Sequence, residues 1–369
     1  MEVVKSMGRH CDGMKILTFY LPQYHVIPEN DEWWGKGYTE WVNVKRAKPL
    51  FQGHVQPREP LNGYYDLSNP NVMTEQMNLA RQYGIGGFCF YHYWFMGKQL
   101  LEKPVDMLLD NKKADLPFCL AWANEPWTRT WYGPGGERQV LIDQEYGDEI
   151  TWGKHFAYLK AFFKDERYIK VDNKPMFIIN RMGNLTCANE MLACWNKWAR
   201  EMGFDGMFVL DMVSWGEKCN SKYLSGTIDF EPGHARRKQE RSRIPMAGRA
   251  HGIRDRINHV PYLLLSYSGV CNEMLRQKHS KNEFRGIFVD YDETPRHGSR
   301  SIIFEGSTPE KFRKYLAQTI KFSQREGNEY VFINAWNEWG EGNYLEPDTL
   351  NGYQYLEAVR DALKETGWG

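Results

Sequence analysis

The chain has 369 residues, of which 42% are hydrophobic and 25% charged, a composition typical of a globular protein and unlike that of a disordered one. Its 47 Lys and Arg residues balance 47 Asp and Glu residues, so it lacks the net basic charge usual in nucleic-acid-binding proteins. No apolar run approaches the ~18 residues of a membrane-spanning helix. We therefore expect no nucleic-acid partner and no transmembrane segment.

The predicted elements alternate between strands and helices along the chain. Short β-rich runs predict eight strands, over residues 15–20, 86–92, 117–123, 175–180, 206–211, 227–231, 285–291 and 329–335. Apolar residues at helical spacing predict helices over 71–83, 99–111, 152–164, 187–202, 308–324 and 352–364.

This alternation favours the α/β class and, within it, a (β/α)8 TIM barrel that occupies residues 1–369 as a single domain. A doubly wound sheet is the competing fold, but the glycine-rich loop that usually follows its first strand is missing. Two long loops, 22–70 and 124–151, are expected at the C-terminal rim, where barrel enzymes have their sites. The basic and then apolar segment 232–284 is predicted to be an insertion beside the barrel.

The cysteines and the first residues of the chain bear on its compartment. Seven cysteines are scattered without CxxC spacing, and Cys89 and Cys119 lie in apolar runs, which indicates buried free thiols. Residues 1–15 contain no apolar signal-peptide core. Both features favour a cytoplasmic protein, although a periplasmic form trimmed of its signal would have the same sequence.

Aromatic residues make up 15% of the chain, and many stand next to Asn, Glu, Arg or His rather than in aliphatic runs. Sugar rings stack their C–H faces on aromatic side chains, while carboxylates and amides bind the hydroxyl groups. The pattern therefore predicts a carbohydrate site. The alternative is that large aromatic residues simply end the barrel strands.

The strongest group of candidate catalytic residues follows the eighth predicted strand, in the sequence NAWNEWGEG at 334–342. Glu338 and Glu341 reach one cleft if the chain turns between them, and Gly340 and Gly342 make a turn easy. Paired carboxyl groups serve glycosyl transfer, because one protonates the leaving oxygen and the other acts as base or nucleophile. Neighbouring tryptophans should raise at least one pKa, as an acid at neutral pH requires. The alternative is that these glutamates cap a helix or pair with arginines at the rim.

Polar and aromatic residues near the other strand ends complete a predicted ring of substrate-binding residues. This ring consists of Tyr20, His25, Trp33, Trp34, Trp41, His92, Tyr93, Trp94, Asn124, Glu125, Trp127, Arg129, Asp211, Glu231, Asp290, Trp336 and Asn337. Because the carboxyl ends of barrel strands meet at one rim, we expect one cleft to be lined by Glu338, Glu341, Tyr20, His92, Asn124 and Glu125. No HxH or HExxH spacing and no P-loop is present, so we expect neither a metal nor an organic cofactor.

Several long motifs identify a family. They are FYLPQYH at 19–25, WWGKGYTEW at 33–41, YGIGGFCFYHYWF at 83–95, WANEPWTRTW at 122–131 and NAWNEWGEG at 334–342. Together they resemble the WbsX-like proteins, relatives of glycoside hydrolase family 99 that are often described as glycosyltransferases of surface-polysaccharide clusters. The resemblance implies a (β/α)8 barrel with a carbohydrate site and a glycan as partner.

The same resemblance implies roles for the two glutamates. Family 99 enzymes are similar in carrying both catalytic carboxyl groups at this spacing, and they are retaining endo-mannosidases that use the sugar's own 2-hydroxyl to form an epoxide-like intermediate. By position, Glu338 would be the base and Glu341 the general acid/base. Family 99 usually has a histidine where this chain has Gly340.

The sequence thus predicts a glycoside hydrolase-like enzyme that cleaves or transfers glycosyl units of a mannoside-like polysaccharide with retention. One alternative is a glycosyltransferase of O-antigen, lipopolysaccharide or capsule biosynthesis, which differs in the acceptor. The other is a non-catalytic carbohydrate-binding barrel, which would have no need of paired glutamates at Glu338 and Glu341.

Overall fold

The structure is a computed structural model that describes residues 14–129, 139–214, 219–236 and 262–368. Nine parallel segments in this part of the chain form the eight strands of a barrel. These strands are β1 Lys15–Tyr20, β2 Ile85–Phe95, β3 Phe118–Trp122, β4 Lys174–Asn180, β5 Phe208–Val213, β6 Gly226–Asp229, β7 with the segments Glu283–Phe284 and Gly286–Phe288, and β8 Tyr330–Asn334. The predicted (β/α)8 barrel is confirmed.

The strands pair in chain order from β1 to β6. The two segments of β7 then connect β6 to β8, and β8 pairs with β1. Strand β1 is paired in parallel with both β2 and β8. The first segment of β7 pairs with β6 and its second segment with β8, so Arg285 stands where the strand changes partner. A Cβ atom on Gly286 would lie 1.9 Å from the carbonyl oxygen of Asp229, so glycine is required for this close approach. The doubly wound alternative is wrong, because β1 pairs with both β2 and β8 and so the first and last strands of the sheet are neighbours in a ring.

Aromatic side chains fill the barrel. Phe19 of β1 is buried, and its ring lies 5.2 Å from Phe230, 5.8 Å from Tyr91 and 6.0 Å from Phe332, measured between ring centroids. These residues come from strands on different sides of the ring or follow them directly. The interior is therefore a packed core, and the space for a ligand lies above it at the rim.

The described helices surround the barrel or lie in its loops. They are Pro28–Trp34, Glu40–Arg46, Pro70–Gln82, Lys103–Asp110, Glu149–Lys164, Ala188–Glu201, Tyr267–Arg276, Thr294–His297, Pro309–Arg325 and Gln354–Glu365. Among the described residues, no helix combines the length and the apolar character that crossing a membrane requires.

Two predicted helices differ in where they start. The helix predicted over 99–111 begins only at Lys103, because Lys98–Leu100 pairs as an antiparallel strand with the end of β2. The helix predicted to begin at 152 begins at Glu149. Asp148 caps it, since its carboxylate accepts a hydrogen bond from the Thr151 backbone and the Thr151 hydroxyl accepts one from the Asp148 backbone.

The long loops and the predicted insertion contain regular structure of their own. The loop 22–70 contains two short helices, and the loop 124–151 contains the antiparallel strands Trp127–Thr128 and Val140–Ile142. In the segment 232–284, Leu263–Ser266 pairs with Ile302–Glu305 outside the barrel. The prediction that this insertion extends to 284 is wrong, because Glu283–Phe284 belongs to β7. Most of the basic run 234–243 lies outside the described residues.

Cysteines of the described residues form no disulfide. Cys89 and Cys119 are fully buried on the neighbouring strands β2 and β3, with their Sγ atoms 3.5 Å apart. Their positions agree with the prediction of buried thiols.

Candidate active site

A cavity of about 200 Å³ lies at the carboxyl ends of the barrel strands. Its walls come from the ends of the barrel strands and from the loops that follow them, and each of the eight strands contributes through its end or its loop. The lining residues are Leu21, Gln23, Trp34, Tyr91, Tyr93, Ala123, Glu125, Trp127, Thr128, Leu141, Asn180, Arg181, Met212, Ser214, Phe230, Arg296, Glu338 and Glu341.

The turn after β8 brings both candidate glutamates to this cavity. Asn337–Glu338 pairs in antiparallel fashion with Asn343–Tyr344, and Trp339–Glu341 forms a single 3₁₀ turn between the two segments. Gly342 ends the turn with φ of 60°, in the left-handed region that glycine adopts at little cost. The predicted turn between Glu338 and Glu341 is therefore present.

A buried amide holds this turn against the first strand. The side-chain oxygen of Asn337 accepts a hydrogen bond from the Leu21 backbone at 2.7 Å, and its nitrogen donates to the Leu21 carbonyl at 3.0 Å. Asn337 is fully buried, so these bonds are shielded from water. The turn that carries Glu338 and Glu341 is thus fixed relative to β1.

Arg296 contacts three carboxyl groups at once. Its Nε lies 2.8 Å from Glu40 Oε1, its Nη2 lies 3.0 Å from Glu338 Oε2 and its Nη1 lies 2.5 Å from Glu341 Oε1. The Arg296 side chain is 8% exposed, and Glu40 is fully buried. Arg296 comes from the helix Thr294–His297 after β7, whereas Glu40 is the first residue of the helix Glu40–Arg46. Three distant segments of the chain therefore meet at this guanidinium group.

Burial controls the protonation of the two glutamates. It raises the pKa of Glu341 to about 8, with Arg296 opposing the rise and the negative charges of Glu338, Glu293 and Glu40 adding to it. Burial also raises the pKa of Glu338, again opposed by Arg296. One guanidinium group cannot neutralise three carboxylates in a site of low dielectric constant, so a proton is retained there at neutral pH. The size of the pKa shift makes Glu341 the candidate for the protonated member of the pair.

A second polar group faces the same cavity. Glu125 Oε1 accepts a hydrogen bond from Asn180 Nδ2 at 2.6 Å and lies 2.7 Å from Arg181 Nε. Burial raises the pKa of Glu125, and Arg181 and Asn180 oppose that shift. Arg181 has φ of 44° and ψ of 50°, a left-handed conformation that is unfavourable for an arginine at a strand end.

A buried carboxyl group, Glu346, packs behind the turn that carries Glu338 and Glu341 and binds it. It accepts hydrogen bonds from Trp339 Nε1 at 2.6 Å, from Gln76 Nε2 at 2.6 Å and from the Tyr65 hydroxyl at 2.9 Å. Burial raises the pKa of Glu346 to about 7, against the effect of these donors. The residue connects the turn to the loop 22–70 and to the helix Pro70–Gln82, and it does not line the cavity.

Two aspartates after β7, Asp290 and Asp292, have the spacing of a DxD motif. Asp290 accepts a hydrogen bond from Arg58 Nη1 at 2.9 Å. One oxygen of Asp292 lies 2.8 Å from His54 Nε2 and 2.6 Å from Gln56 Nε2. Both carboxylates therefore hold the loop 22–70 on the barrel. Among the described residues, no group of three His, Cys, Asp or Glu side chains is arranged to hold a metal ion.

The structure places six of the predicted site residues around the cavity. They are Trp34, Tyr93, Glu125, Trp127, Glu338 and Glu341. Two more lie against this group. Trp33 packs edge-on against Trp127, and Arg129 lies over the Trp34 ring and donates to the Trp33 carbonyl oxygen.

The other predicted site residues lie outside the cavity lining, and most of them are bonded within the core. Tyr20 donates to Gln76, Asn124 to Tyr146 and Trp41 to the Tyr65 carbonyl, while His92 and the stacked Trp94 contact His155. His25 bonds the Pro22 carbonyl, Asp211 accepts from the Met182 and Cys219 backbones, Glu231 accepts from the Ala235 backbone, and Trp336 packs on Phe88. Asp290 and Asn337 have the partners given above.

Several residues at or beside the site were not predicted from the sequence, and five of them are charged or share a strand face with a predicted residue. They are Glu40, Tyr91, Arg181, Arg296 and Glu346. Alternation along β2 is a signal that points to Tyr91, because it shares a strand face with Tyr93. Arg296 stands in the segment DETPRHGSR, which has no motif that marks it.

Comparisons with known proteins agree with the resemblance read from the motifs. A family model described as "Glycosyltransferase WbsX" matches residues 16–359. Two curated relatives, both named uncharacterized protein WxcX and from the strains ATCC 33913 and B100 of Xanthomonas campestris pv. campestris, are each 37% identical over 359 residues. The match covers 94% of this chain and 49% of each relative, so the chain spans about half the length of these proteins.

Solved structures share the fold. The GH99 endo-alpha-mannosidase from Bacteroides thetaiotaomicron, in complex with bis-tris-propane, matches with a TM-score of 0.58 and 13% identity, over 95% of this chain and 97% of its own. A protein described as glycoside hydrolase-like matches with a TM-score of 0.59 and 13% identity, over 95% and 94% of the two chains. At this identity the likeness concerns the barrel. The match of the family model over most of the chain means that this protein belongs to the WbsX glycosyltransferase family, a family of glycan-active enzymes.

Proposed function

We propose that the chain cleaves or transfers glycosyl units of a mannoside-like glycan with retention, using Glu338 and Glu341 in the rim cavity and no metal or organic cofactor. The observation that carries the proposal is that both glutamates line one cavity and bind one guanidinium group. Burial raises the pKa of both carboxyl groups, that of Glu341 to about 8. Two carboxyl groups in different protonation states are what glycosyl transfer needs.

Glu341 is the general acid/base in this proposal. With a pKa of about 8 it is mostly protonated at neutral pH and can donate its proton to the glycosidic oxygen as the bond breaks. Once the leaving group has departed, the same carboxylate accepts a proton from the incoming water or sugar hydroxyl.

Glu338 is the base. Its Oε2 is bound by Arg296 Nη2, which stabilises the ionised form. From this position it takes the proton of the sugar's 2-hydroxyl, so that the 2-oxygen attacks the anomeric carbon from the opposite face. The second inversion, by water or by an acceptor hydroxyl, gives net retention.

Aromatic and polar side chains of the cavity bind the sugar. Trp34, Tyr93 and Trp127 offer ring faces and edges for sugar C–H groups, and Glu125 with Arg181 offers an acceptor and donors for hydroxyl groups. The mannoside assignment is supported by the endo-alpha-mannosidase that shares the fold.

Transfer in O-antigen, lipopolysaccharide or capsule assembly is the second candidate, and the description of the matching family favours it. It uses the same two glutamates and replaces water by a sugar acceptor. A non-catalytic carbohydrate-binding barrel is less well supported, since sugar binding alone does not need two buried carboxyl groups on one arginine.

Product analysis tests the proposal. The protein is incubated with mannose-rich glycans and bacterial surface polysaccharides, with and without a short sugar acceptor, and products are identified by mass spectrometry and by NMR of the anomeric protons. New reducing ends or extended acceptors of retained configuration are expected. The same products from the variant Glu341→Gln at full rate, or no product from any glycan, would contradict it.

The pH dependence of kcat/KM is a further expected result. Glu341 must be protonated, so activity falls as the pH rises through about 8. Glu338 must be ionised and its pKa is raised, so activity also falls at acidic pH, at a limb above the usual glutamate range. Initial rates between about pH 4 and pH 10 should give a bell-shaped curve. An alkaline limb absent up to pH 10 would remove Glu341 as the acid.

A pair of tryptophan variants separates sugar contact from core packing. Trp34→Ala is expected to weaken glycan binding by about 1–3 kcal/mol with little loss of stability, because Trp34 is half-buried at the cavity wall. Trp41→Ala is expected to cost about 3–5 kcal/mol of unfolding free energy, because Trp41 is buried beside Tyr24 and Tyr65. Calorimetric titration and denaturant unfolding measure the two effects. Equal loss of stability in both variants would mean that Trp34 is a core residue.

A further inference from the structure

Gly340 leaves room that Glu40 and Arg296 fill. A Cβ atom built on Gly340 would lie 1.9 Å from Glu40 Oε1 and 2.7 Å from Arg296 Nε. Real Cβ atoms do not approach heavy atoms so closely, so the ion pair and any larger residue at 340 exclude each other. Residue 340 is therefore a glycine because the ion pair of Glu40 and Arg296, which come from two other segments, packs against it.

The guanidinium group uses all three nitrogens on different carboxyl groups. Nη1 and Nη2 bind Glu341 and Glu338, the two groups that face the cavity. Nε binds Glu40, which is fully buried and does not line the cavity. Glu40 has no access to a substrate, yet it shares the positive charge on which the other two carboxyl groups depend.

The backbone around Arg296 is tied to the catalytic turn. The Asp292 amide donates to the Glu341 carbonyl at 2.6 Å, and the Asp292 carboxylate accepts from the Thr294 amide at 3.0 Å at the start of the helix that carries Arg296. These hydrogen bonds fix the turn and the segment that carries Arg296 relative to each other. The two Nη atoms of the guanidinium group then set the spacing of the Glu338 and Glu341 carboxyl groups.

We propose that Arg296 and Glu40 are positioning residues for the catalytic pair: Arg296 holds Glu338 and Glu341 at a fixed spacing, and Glu40 binds the Nε atom and offsets part of the positive charge that Arg296 presents to Glu341. This inference rests on the roles proposed for Glu338 and Glu341. It assigns a function in protonation to a carboxylate that never touches the glycan.

Several charged or titratable groups face Glu341, and the proposal concerns only one of them. Arg296, Glu338, Glu293 and Glu40 act on it through their charges. Tyr91 and Tyr291 also lie within its field. If Glu40 loses its charge, Arg296 is less neutralised and Glu341 ionises at lower pH.

The test is a titration of the Glu341 carboxyl by NMR, in full-length protein labelled with ¹³C at the glutamate side-chain carboxyls. The variant Glu341→Gln identifies the signal. Glu40→Gln retains the shape of the side chain and an oxygen for Nε but removes the charge, and it should lower the Glu341 midpoint by about one pH unit. In kinetics, the alkaline limb should move down by the same amount while KM changes less than about two-fold.

Two further variants complete the design. Gly340→Ala retains every charge but disturbs the close approach of Glu40 and Arg296, and it should therefore move the Glu341 midpoint away from the wild-type value. Glu310→Gln removes an exposed charge in the helix Pro309–Arg325 and should leave the midpoint unchanged.

A midpoint in folded Glu40→Gln within about 0.2 units of the wild type would overturn the proposal, since shifts near one unit are expected from a neighbouring buried charge. Failure of both Glu40→Gln and Gly340→Ala to fold would also overturn it, because the pair would then be an element of stability alone. The titration needs no substrate, so its result stands even if no glycan is cleaved.

Discussion

Turnover falls by about 10²–10⁴-fold when Glu341 is replaced by glutamine, because the variant retains the shape and the contact to Arg296 but has no proton to donate. Ground-state binding of the glycan involves the aromatic walls and changes little, so the loss should lie in kcat and not in KM. Steady-state kinetics on the glycan identified by product analysis measure the change.

An activated leaving group provides the control for this variant. An aryl glycoside whose leaving group needs no protonation should recover much of the first-step rate in Glu341→Gln. Glu125→Gln is the matched variant, because Glu125 lines the same cavity but is bound to Arg181. It should raise KM more than it lowers kcat. Full activity of Glu341→Gln on natural glycans would place the acid elsewhere.

Replacement of Glu338 by glutamine should lower kcat by at least the same ~10²–10⁴-fold, for a different reason. The neutral amide cannot take the proton of the sugar's 2-hydroxyl, so the attacking oxygen is not formed. The activated aryl glycoside should therefore fail to rescue Glu338→Gln. Removal of the proton from the 2-hydroxyl is needed with the aryl leaving group as well as with the natural sugar leaving group. Parallel assays of both variants on both substrates give this contrast directly.

A substrate with fluorine or hydrogen in place of the 2-hydroxyl tests the same step in the wild-type enzyme. Such an analogue should bind in the cavity and turn over extremely slowly. Normal turnover would contradict participation of the 2-hydroxyl and make Glu338 a direct nucleophile. Rescue of Glu338→Gln by the aryl glycoside would exchange the roles of Glu338 and Glu341.

The strand positions and the turn that carries Glu338 and Glu341 could be predicted from the sequence, because both depend on local patterns. Apolar β-rich runs separated by amphipathic helices locate the eight barrel strands to within a few residues. Two glycines beside two glutamates after the last strand predict a tight turn, and the 3₁₀ turn Trp339–Glu341 agrees with it. Local chemistry was sufficient in both cases.

Side-chain direction explains why two predicted site residues of β2 lie outside the cavity. Alternate residues of a strand point to opposite faces. On β2, Tyr91 and Tyr93 line the cavity, whereas His92 and Trp94 pack against His155 of the helix Glu149–Lys164. Once one cavity residue of a strand is known, its neighbours at odd spacing can be excluded, but the sequence alone does not say which set faces inwards.

Arg296 and Glu40 could not be predicted, because their role depends on contacts between segments far apart in the chain. Each has an ordinary explanation in its own segment, as a surface charge on a short helix. Only the folded barrel brings them together beneath the turn that carries Glu338 and Glu341.

The sequence distances within the site have a consequence for folding. Arg296 and Glu40 are 256 residues apart, and Asn337 and Leu21 are 316 residues apart. Contacts of such separation form only after the chain ends have met, at a large cost in loop-closure entropy. We therefore expect the two glutamates to reach their native spacing only in a barrel in which β1 and β8 are paired. A change that weakens the pairing of β1 with β8 should therefore disturb the spacing of the two glutamates even when it lies far from the cavity.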